Sequence, residues 1–423
     1  MLNFLDKTDL NKMKILQLLN NSNDDLTLDS ISSHLFLDKR TVQSLLIFIE
    51  TDIQKMNVYK KVTITQSKKG SLYLNIDTDF SLQFFFLFYL KKSILFNFCL
   101  SIFNCEFTTS AKFAKDNYIS LSTFKNRLAE LRKLLSYFDL ELNLSADYPL
   151  IGEEKQIRHF YFYFFWNSYQ TIEWPFQKIK PKELKTFFDG NVVVENFSFS
   201  DVYKIIFWFS ITIIRVKQDF TITPNKTYIT LANNKTPFVK FYPIVEQLFQ
   251  KFDIFDEKLL VYESEFLYFC SSLLGILPLQ EYSNLDLIYS GDSLFNTNRD
   301  ISHIWIREFC DFFSVSISMP EYHYLLANLT ILFNKIIFLK GPNSNFSFLV
   351  SEKNLIKTYF YYFEQIEGFV SHLKKIKRLK LITHTDHNIS EFYNLLVWEI
   401  LFEKKQKLTI TLQSTFSPLH ISI

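Results

Sequence analysis

The stretch FTTSAKFAKDNYISLSTFKNRLAELRKLLSYFDLEL, residues 107–142, decides how the fold is read. Ser120 stands in front of an apolar series, Phe124, Leu128, Leu131, Leu135 and Phe138. Steps of three, four and seven residues put such a series on one face of a helix, and a serine just ahead of it is a good N-cap. Upstream, TTSAKFAKDN (108–117) predicts a second, short helix, and residues 80–105 a third. Downstream, LELNL (140–144) and PLIGE (149–153) are two strand-like runs separated by Ser145-Ala146-Asp147-Tyr148, which signals a hairpin. Helix, helix, helix, hairpin is the order of a winged helix-turn-helix.

The same order is legible in the first 76 residues. TDLNKMKILQLLN (8–20) has helical spacing, and LTLDSISSHLFL (26–37) gives a short helix with Leu28, Ile31 and Leu35 on one side. Asp38 is placed to cap a longer helix, DKRTVQSLLIFIETDIQKM (38–56). KVTITQ (61–66) and SLYLNI (71–76) then alternate across Ser67-Lys68-Lys69-Gly70, a second hairpin. Two winged helices in tandem are expected, at 1–78 and 79–155.

A helix-turn-helix inserts the N-terminal part of its last helix into the major groove. In the first module that end carries Lys39, Arg40, Thr41, Gln43 and Ser44; in the second, Ser122, Thr123, Lys125, Asn126 and Arg127. Amide and guanidinium forks suit base edges, and hydroxyls suit phosphates. Lys68 and Lys69 at the wing tip, and Arg132 and Lys133 further along the second helix, suit backbone phosphates. A polar, charged helix start is also what any solvated helix shows. The repetition of the order, with a hairpin each time, favours DNA. Bulk charge does not decide it: residues 1–150 hold 18 Lys and Arg against 16 Asp and Glu, a net of only +2. Any cationic patch must be assembled by folding.

The 423 residues exceed one ordinary core at roughly 150 residues per domain. With 48% hydrophobic and 21% charged residues the chain is globular rather than disordered, and 48 Phe against 7 Gly favour helix over sheet. Beyond Glu154 the pattern becomes long aromatic-rich helical runs, QIRHFYFYFFWNSYQ (156–170), VYKIIFWFSITIIR (202–215), YPIVEQLFQKF (242–252) and LLVYESEFLYFCSSLLG (259–275). After Gly275 and Pro278 come ISHIWIREFCDFF (301–313), YHYLLANLTILFNKIIFLKG (322–341) and LIKTYFYYFEQIEGFVSHLKKI (355–376). Two helical bundles are expected, at 156–282 and 283–377. The tail then reads strand (379–383), helix (390–402), strand (407–412), a short α/β unit at 378–423. The fold class is mostly α.

Several function classes are disfavoured. Cys99, Cys105, Cys270 and Cys310 are scattered with no CxxC, so buried thiols of a reducing cytosol are expected rather than zinc or disulfides. No signal peptide is recognisable at the start, and Lys91-Lys92 interrupt the greasiest stretch, 80–103. Buried helices of a soluble, cytoplasmic protein are expected there, with no membrane partner. No GxxxxGK[ST], GxGxxG, GxSxG or HExxH occurs, so neither an enzyme nor a cofactor is expected. His384 and His387 with Asp386 have the look of a metal cluster but lack further ligands, so a strand-end loop is preferred and no metal site is assigned. The rival to a DNA binder is a protein-interaction module that uses winged helices and bundles for dimerisation alone.

The residues already quoted carry a resemblance. LIGEEKQIRHFYFYFFW (150–166) with EWPF (173–176), the helix-turn-helix stretch 107–142, and YHYLLANLTILFNKIIFLKG (322–341) resemble the Mga (AtxA-like) family of transcriptional regulators. The resemblance implies two winged helices, two phosphotransferase-system regulation domains and a C-terminal domain similar to an enzyme IIB, for which 378–423 is short. It implies a homodimeric activator of virulence, surface or metabolic genes that binds double-stranded DNA. It also implies that sugar-phosphotransferase carrier proteins phosphorylate regulation-domain histidines. Of the histidines, His323 lies in the family-like segment and is the first candidate, with His303 second. A buried, hydrogen-bonded core histidine is the preferred reading of His323, because aromatic residues flank it.

Overall fold

A computed structural model describes residues 1–21, 25–188, 199–225, 236–273, 293–342 and 365–379, with Tyr393, Leu396, Val397 and Ile400. It is mostly helical, with two two-stranded hairpins among the described residues. Two compact units are present, one formed by Met1–Leu274 with Leu339–Ile356, the other by Gly275–Phe338 with Lys357–Ile423.

The first unit begins with a 3-10 turn, Leu2–Phe4, then α1 (Lys7–Asn21), α2 (Leu28–Leu35) and α3 (Lys39–Lys55). Thr27 caps α2 through a reciprocal pair with Ser30, and Asp38 caps α3 by accepting from the Thr41 N–H at 2.8 Å. Val42, Leu45, Leu46, Ile49 and Ile53 form the buried face of α3. Strands β1 (Val62–Gln66) and β2 (Leu72–Ile76) pair antiparallel from Val62↔Ile76 to Gln66↔Leu72. Gly70 closes their turn at φ +87°, a left-handed conformation that suits glycine.

The second module repeats the order. Its first helical stretch, expected as one helix over 80–105, is two: α4 (Gln83–Lys92) and α5 (Ile94–Phe103), bent by 78°. Ser93 causes the break. It takes extended dihedrals, accepts the Phe96 N–H at 3.3 Å to start α5, and donates its hydroxyl to the Phe4 carbonyl at 2.5 Å. The apolar spacing crosses Ser93 without a gap, which is why sequence alone merges the two helices. No single helix among the described residues is long and apolar enough to cross a membrane, and both halves of this bent pair are largely buried. Then follow α6 (Ser110–Asp116), α7 (Leu121–Ser136) and a minimal hairpin, β3 (Glu141–Leu142) with β4 (Leu150–Ile151). Phe98, Phe113 and Phe124 pack edge-on or tilted at 4.9–5.3 Å between centroids, so this core is aromatic where that of the first module is aliphatic. At the wing's end Gly152 (φ +154°) leaves no room for a Cβ, which would meet the Leu140 side chain at 2.4 Å.

The rest of the first unit contains α8 (Glu154–Tyr169), α9 (Pro181–Phe188), α10 (Phe199–Val216), α11 (Thr236–Lys251) and α12 (Glu257–Ser272). A buried ionic cluster joins three of them. Arg158 of α8 forks onto Glu263 of α12, with one arm at 2.9 Å, and Glu154 accepts from Arg158 and Arg215 at 2.9 Å each. Two arginines against two glutamates leave the core neutral, which is what allows such charges to be buried. Neither bundle spacing nor composition announces this cluster.

The second unit holds α13 (Ser293–Phe313) and α14 (Met319–Phe338), with further helix at 365–373. Trp305, Phe309, Leu325, Phe333 and Phe369 are at its core, joined by Tyr393, Leu396, Val397 and Ile400. The Gly275–Pro278 break, residues 355–364, the two tail strands, and His384 and His387 lie outside the described residues. Two expectations about burial are corrected. Cys99 and Cys270 are buried, but Cys105 is exposed just past the end of α5 and Cys310 is half-buried. His323 is exposed on the first turns of α14 and is not a core histidine: its neighbours Tyr324 and Leu325 take the buried face.

Candidate nucleic-acid interface

The third helix of each module has one face fixed in the core and the other in solvent. In α7, Phe124, Leu128, Leu131 and Leu135 are buried, which leaves Ser122, Lys125, Asn126, Arg132 and Lys133 exposed. Lys125 and Arg132 are seven residues apart, two helical turns or about 10 Å along one stripe. Asn126 and Lys133 repeat that spacing beside them. Ser120 organises the helix start. Its hydroxyl accepts the Thr123 N–H at 3.0 Å and lies 2.7 Å from the Thr123 hydroxyl and 2.9 Å from that of Ser122. Ser122 and Thr123 are exposed, yet their hydroxyls are already engaged in the cap.

Arg127 differs from its neighbours. It is half-buried, donates to the Phe4 and Leu5 carbonyls at 3.2 and 3.0 Å, and meets Glu130 at 3.2 Å. Its guanidinium fastens α7 to the N-terminal turn instead of standing free at the surface. The sequence gives no sign of this, because the acceptors are main-chain carbonyls more than a hundred residues away.

On α3 the exposed set is Lys39, Arg40, Gln43 and Ser44, with Thr41 half-buried. Thr41 donates its hydroxyl to Asp38 at 2.6 Å, and this bond, with the Thr41 N–H, holds the Asp38 carboxyl below the usual carboxylate range. Lys39 pairs with Asp29 of α2, both exposed. Lys68 and Lys69 are exposed at the tip of the first hairpin, where Gly70 donates to the Ser67 carbonyl at 2.9 Å. Exposed surface pairs of this kind are easily exchanged for other partners, since each contributes little.

The two histidine candidates lie in the second unit. The half-buried His303 is hydrogen-bonded through Nδ1 to the Tyr322 hydroxyl, with the rings stacked 5.8 Å apart. Burial, then Arg299, lowers its pKa. His323 is exposed one residue beyond Tyr322. Arg307, four residues from His303, pairs with Glu308 at 3.3 Å, and Glu308 also meets His372 at 2.9 Å.

Among the described residues no group of three His, Cys, Asp or Glu could hold a metal ion. Comparison with known proteins gives the exposed helix faces a context. Residues 78–165, which contain α4 to α7, the second hairpin and most of α8, match the Mga helix-turn-helix domain. The chain is similar to the capsule synthesis positive regulator AcpB of Bacillus anthracis, 25% identical over 195 residues, which cover 46% of this chain and 40% of that protein. It is also similar to a putative trans-acting regulator of Streptococcus pneumoniae serotype 4, 28% identical over 119 residues, 28% of this chain and 24% of that protein. The aligned segments thus span less than half of either relative. Both relatives are named as regulators, not enzymes. Residues 78–165 are thus similar to the helix-turn-helix domain of the Mga family, and the chain is similar over part of its length to proteins named as regulators.

Proposed function

We propose that the chain is a transcriptional activator that grips double-stranded DNA with two winged helices, residues 1–78 and 79–155. The observation that carries this reading is the repetition of one local design. Each module runs from a helical stretch (one helix in the first, the bent pair α4 and α5 in the second) through a short helix and a longer one to a hairpin, caps that longer helix with a side-chain oxygen, and turns its polar, cation-bearing face to solvent. Lys39, Arg40, Gln43 and Ser44 on one helix and Lys125, Asn126, Arg132 and Lys133 on the other supply forks for base edges and charges for phosphates. Lys68 and Lys69 reach the flanking backbone. Thr41, Ser122 and Thr123 hold the helix starts and come close to phosphate, while Arg127 positions α7.

The remaining chain regulates that grip. Residues 156–282 and 283–377 act as two phosphotransferase-system regulation domains, and 378–423 as a reduced enzyme IIB-like unit. The protein works in the cytoplasm as a homodimer, which places two pairs of winged helices on one DNA and multiplies their affinity. His323 is the preferred acceptor of phosphate from a sugar-phosphotransferase carrier protein, because it is exposed on α14, and His303 is the second. The genes controlled are expected to be virulence, surface or metabolic genes, by analogy with the relative named for capsule synthesis.

The test is binding of the full chain to duplex DNA over a range of salt. Affinity that climbs steeply as salt falls is expected, since each neutralised phosphate releases a counterion. Binding that ignores salt, or none at all, overturns the reading. Chromatin profiling then locates the promoters. Light scattering reports the dimer, and incubation with a phosphorylated carrier protein, comparing the parent chain with His323→Ala, reports the modification.

A further inference from the structure

Of the nine described non-glycine residues with positive φ, seven are small or polar side chains. The other two are Phe36 (φ 52°) and Tyr118 (φ 55°). These are also the two most exposed large hydrophobic residues described, at 94% and 97%. They occupy the same place in the two modules. Phe36-Leu37-Asp38 and Tyr118-Ile119-Ser120 each run left-handed aromatic, half-buried aliphatic, N-cap of the third helix. The Leu37 N–H reaches back to the Ser32 carbonyl at 3.1 Å, and the Ile119 N–H to the Ala114 carbonyl at 3.0 Å, the same six-residue closure of the second helix. Glycine or asparagine is the usual occupant of such a helix end, because a Cβ is strained there. An aromatic ring at this position gives up backbone comfort and also leaves its apolar surface in water. That both costs recur together, twice, at one position of a repeated design points to something outside the chain that covers the rings.

We propose that Phe36 and Tyr118 are DNA-contacting residues, each ring packing on the sugar-phosphate strand that borders the groove its module's third helix enters. The proposal rests on the DNA-binding reading above and adds to it two apolar contacts. The neighbourhood fits a polyanion. Exposed Lys39 and Arg40 follow Phe36, and exposed Lys112, Lys115 and Lys125 surround Tyr118 along the chain. Of the nearby acids, Asp38 is held by its cap bonds and Asp29 by Lys39, and Asp116 remains exposed beside Tyr118. The aromatic lies two residues before the N-cap, at the end of the third helix that points into the groove, so it meets the strand on the near side. A deoxyribose or a thymine methyl gives it an apolar face.

The experiment uses the full chain, a fluorescent mixed-sequence duplex and anisotropy at low salt, with Phe36→Gly, Tyr118→Gly and the double variant. Thermal melting and sedimentation of each variant are measured in parallel. Loss of about fivefold in affinity for each single change and about twentyfold for both is expected, from loss of a ring contact of ordinary size. The melting temperature should hold or rise, because glycine removes the strain. If glycine lowers it, Phe36→Asn and Tyr118→Asn, which also tolerate the left-handed conformation, replace the glycine variants. Unchanged DNA affinity in stable variants overturns the proposal, as does an affinity loss explained wholly by lost self-association, which would put a second copy of the chain on the rings. The two readings separate cleanly. If Lys125→Ala with Lys133→Ala weakens binding and the aromatic variants do not, only the ring contact fails. If the parent chain shows no salt-dependent binding, the DNA reading fails and the ring contact with it.

Discussion

Aligned on the caps of their third helices, the two modules differ at a handful of positions that divide the labour between them. Four residues past the cap the first module buries Val42 and the second Phe124. Seven past it, Leu45 is buried in one and Arg127 ties down the N-terminal turn in the other. Fourteen past it, Asp52 is buried against Lys12 at 2.7 Å where the second module has Leu134. Outside, the first module has Glu50 and Thr51 where the second has Arg132 and Lys133, and Lys68-Lys69 at its wing tip where the second has Ala146-Asp147. The same order of elements is therefore held by an ion cluster and aliphatics in one case and by packed rings in the other. The first module has cations at the start of α3 and at its hairpin tip, whereas the second carries them along α7 and none at its hairpin tip. A scaffold of this kind fixes where a surface points without fixing its chemistry.

The largest effect should come from the cores. Phe124→Ala is expected to cost about 4 kcal/mol by denaturant unfolding, since it empties the space between Phe98 and Phe113, whereas Val42→Ala should cost only about 1–2 kcal/mol. Equal losses would erase the distinction between the aromatic and aliphatic cores. Next is the ion cluster. Lys12 lies 2.5 Å from Asp9 and 2.7 Å from Asp52, so Lys12→Met strands the Asp9 carboxylate, leaves Asp52 only Lys92 at 3.3 Å, and should cost about 3 kcal/mol. Asp52→Leu should cost less, because Asp9 still holds Lys12 and leucine is what the second module carries there. A leucine variant that unfolds more easily than the methionine variant would break the parallel.

The third effect concerns DNA. Arg132→Ala with Lys133→Ala should lower the dependence of log affinity on log salt by about 2, one for each lost phosphate contact, and Lys68→Ala with Lys69→Ala by a similar amount. A change from one pair alone would show that only one module touches the backbone. The smallest is a pH effect confined to the first module. Burial would raise the Asp52 pKa, but the hydrogen bond and charge of Lys12, with the charge of Lys92, outweigh it and hold it below the usual carboxylate value. A carboxyl lowered on folding stabilises the fold above its unfolded pKa, near 4, and that stability is lost as pH falls through the lower folded value. Asp9 is shifted up, mainly by burial, and opposes this. The acid loss that this pair adds should therefore be slight, and Asp52→Asn should lose a little less stability in acid than the parent chain. A larger acid loss in that variant would contradict the assignment.

The local design was legible because it depends on neighbours in the chain. Asp38 and Ser120 were recognisable as caps, and the buried faces of α3 and α7 followed from spacing alone, since capping and helical periodicity act within a few residues. The Lys68-Lys69 tip followed from alternation and Gly70. What spacing could not give was anything set by a distant partner. Ser93 breaks a helix by bonding the Phe4 carbonyl, and Arg127 turns inward to Phe4 and Leu5, contacts between residues about ninety and more than a hundred and twenty apart. Burial of Arg158 and Glu263 depends on meeting across 105 residues, because neither charge could be buried alone. His323 reads as a core residue among aromatics, but the face it takes on α14 was decided by which neighbours the core of its unit claimed. The sequence by itself determined the order of the elements in the first 155 residues and the caps at Asp38 and Ser120. Tertiary structure decided which polar groups face water and which face each other, because desolvation and pairing are settled only when distant segments meet.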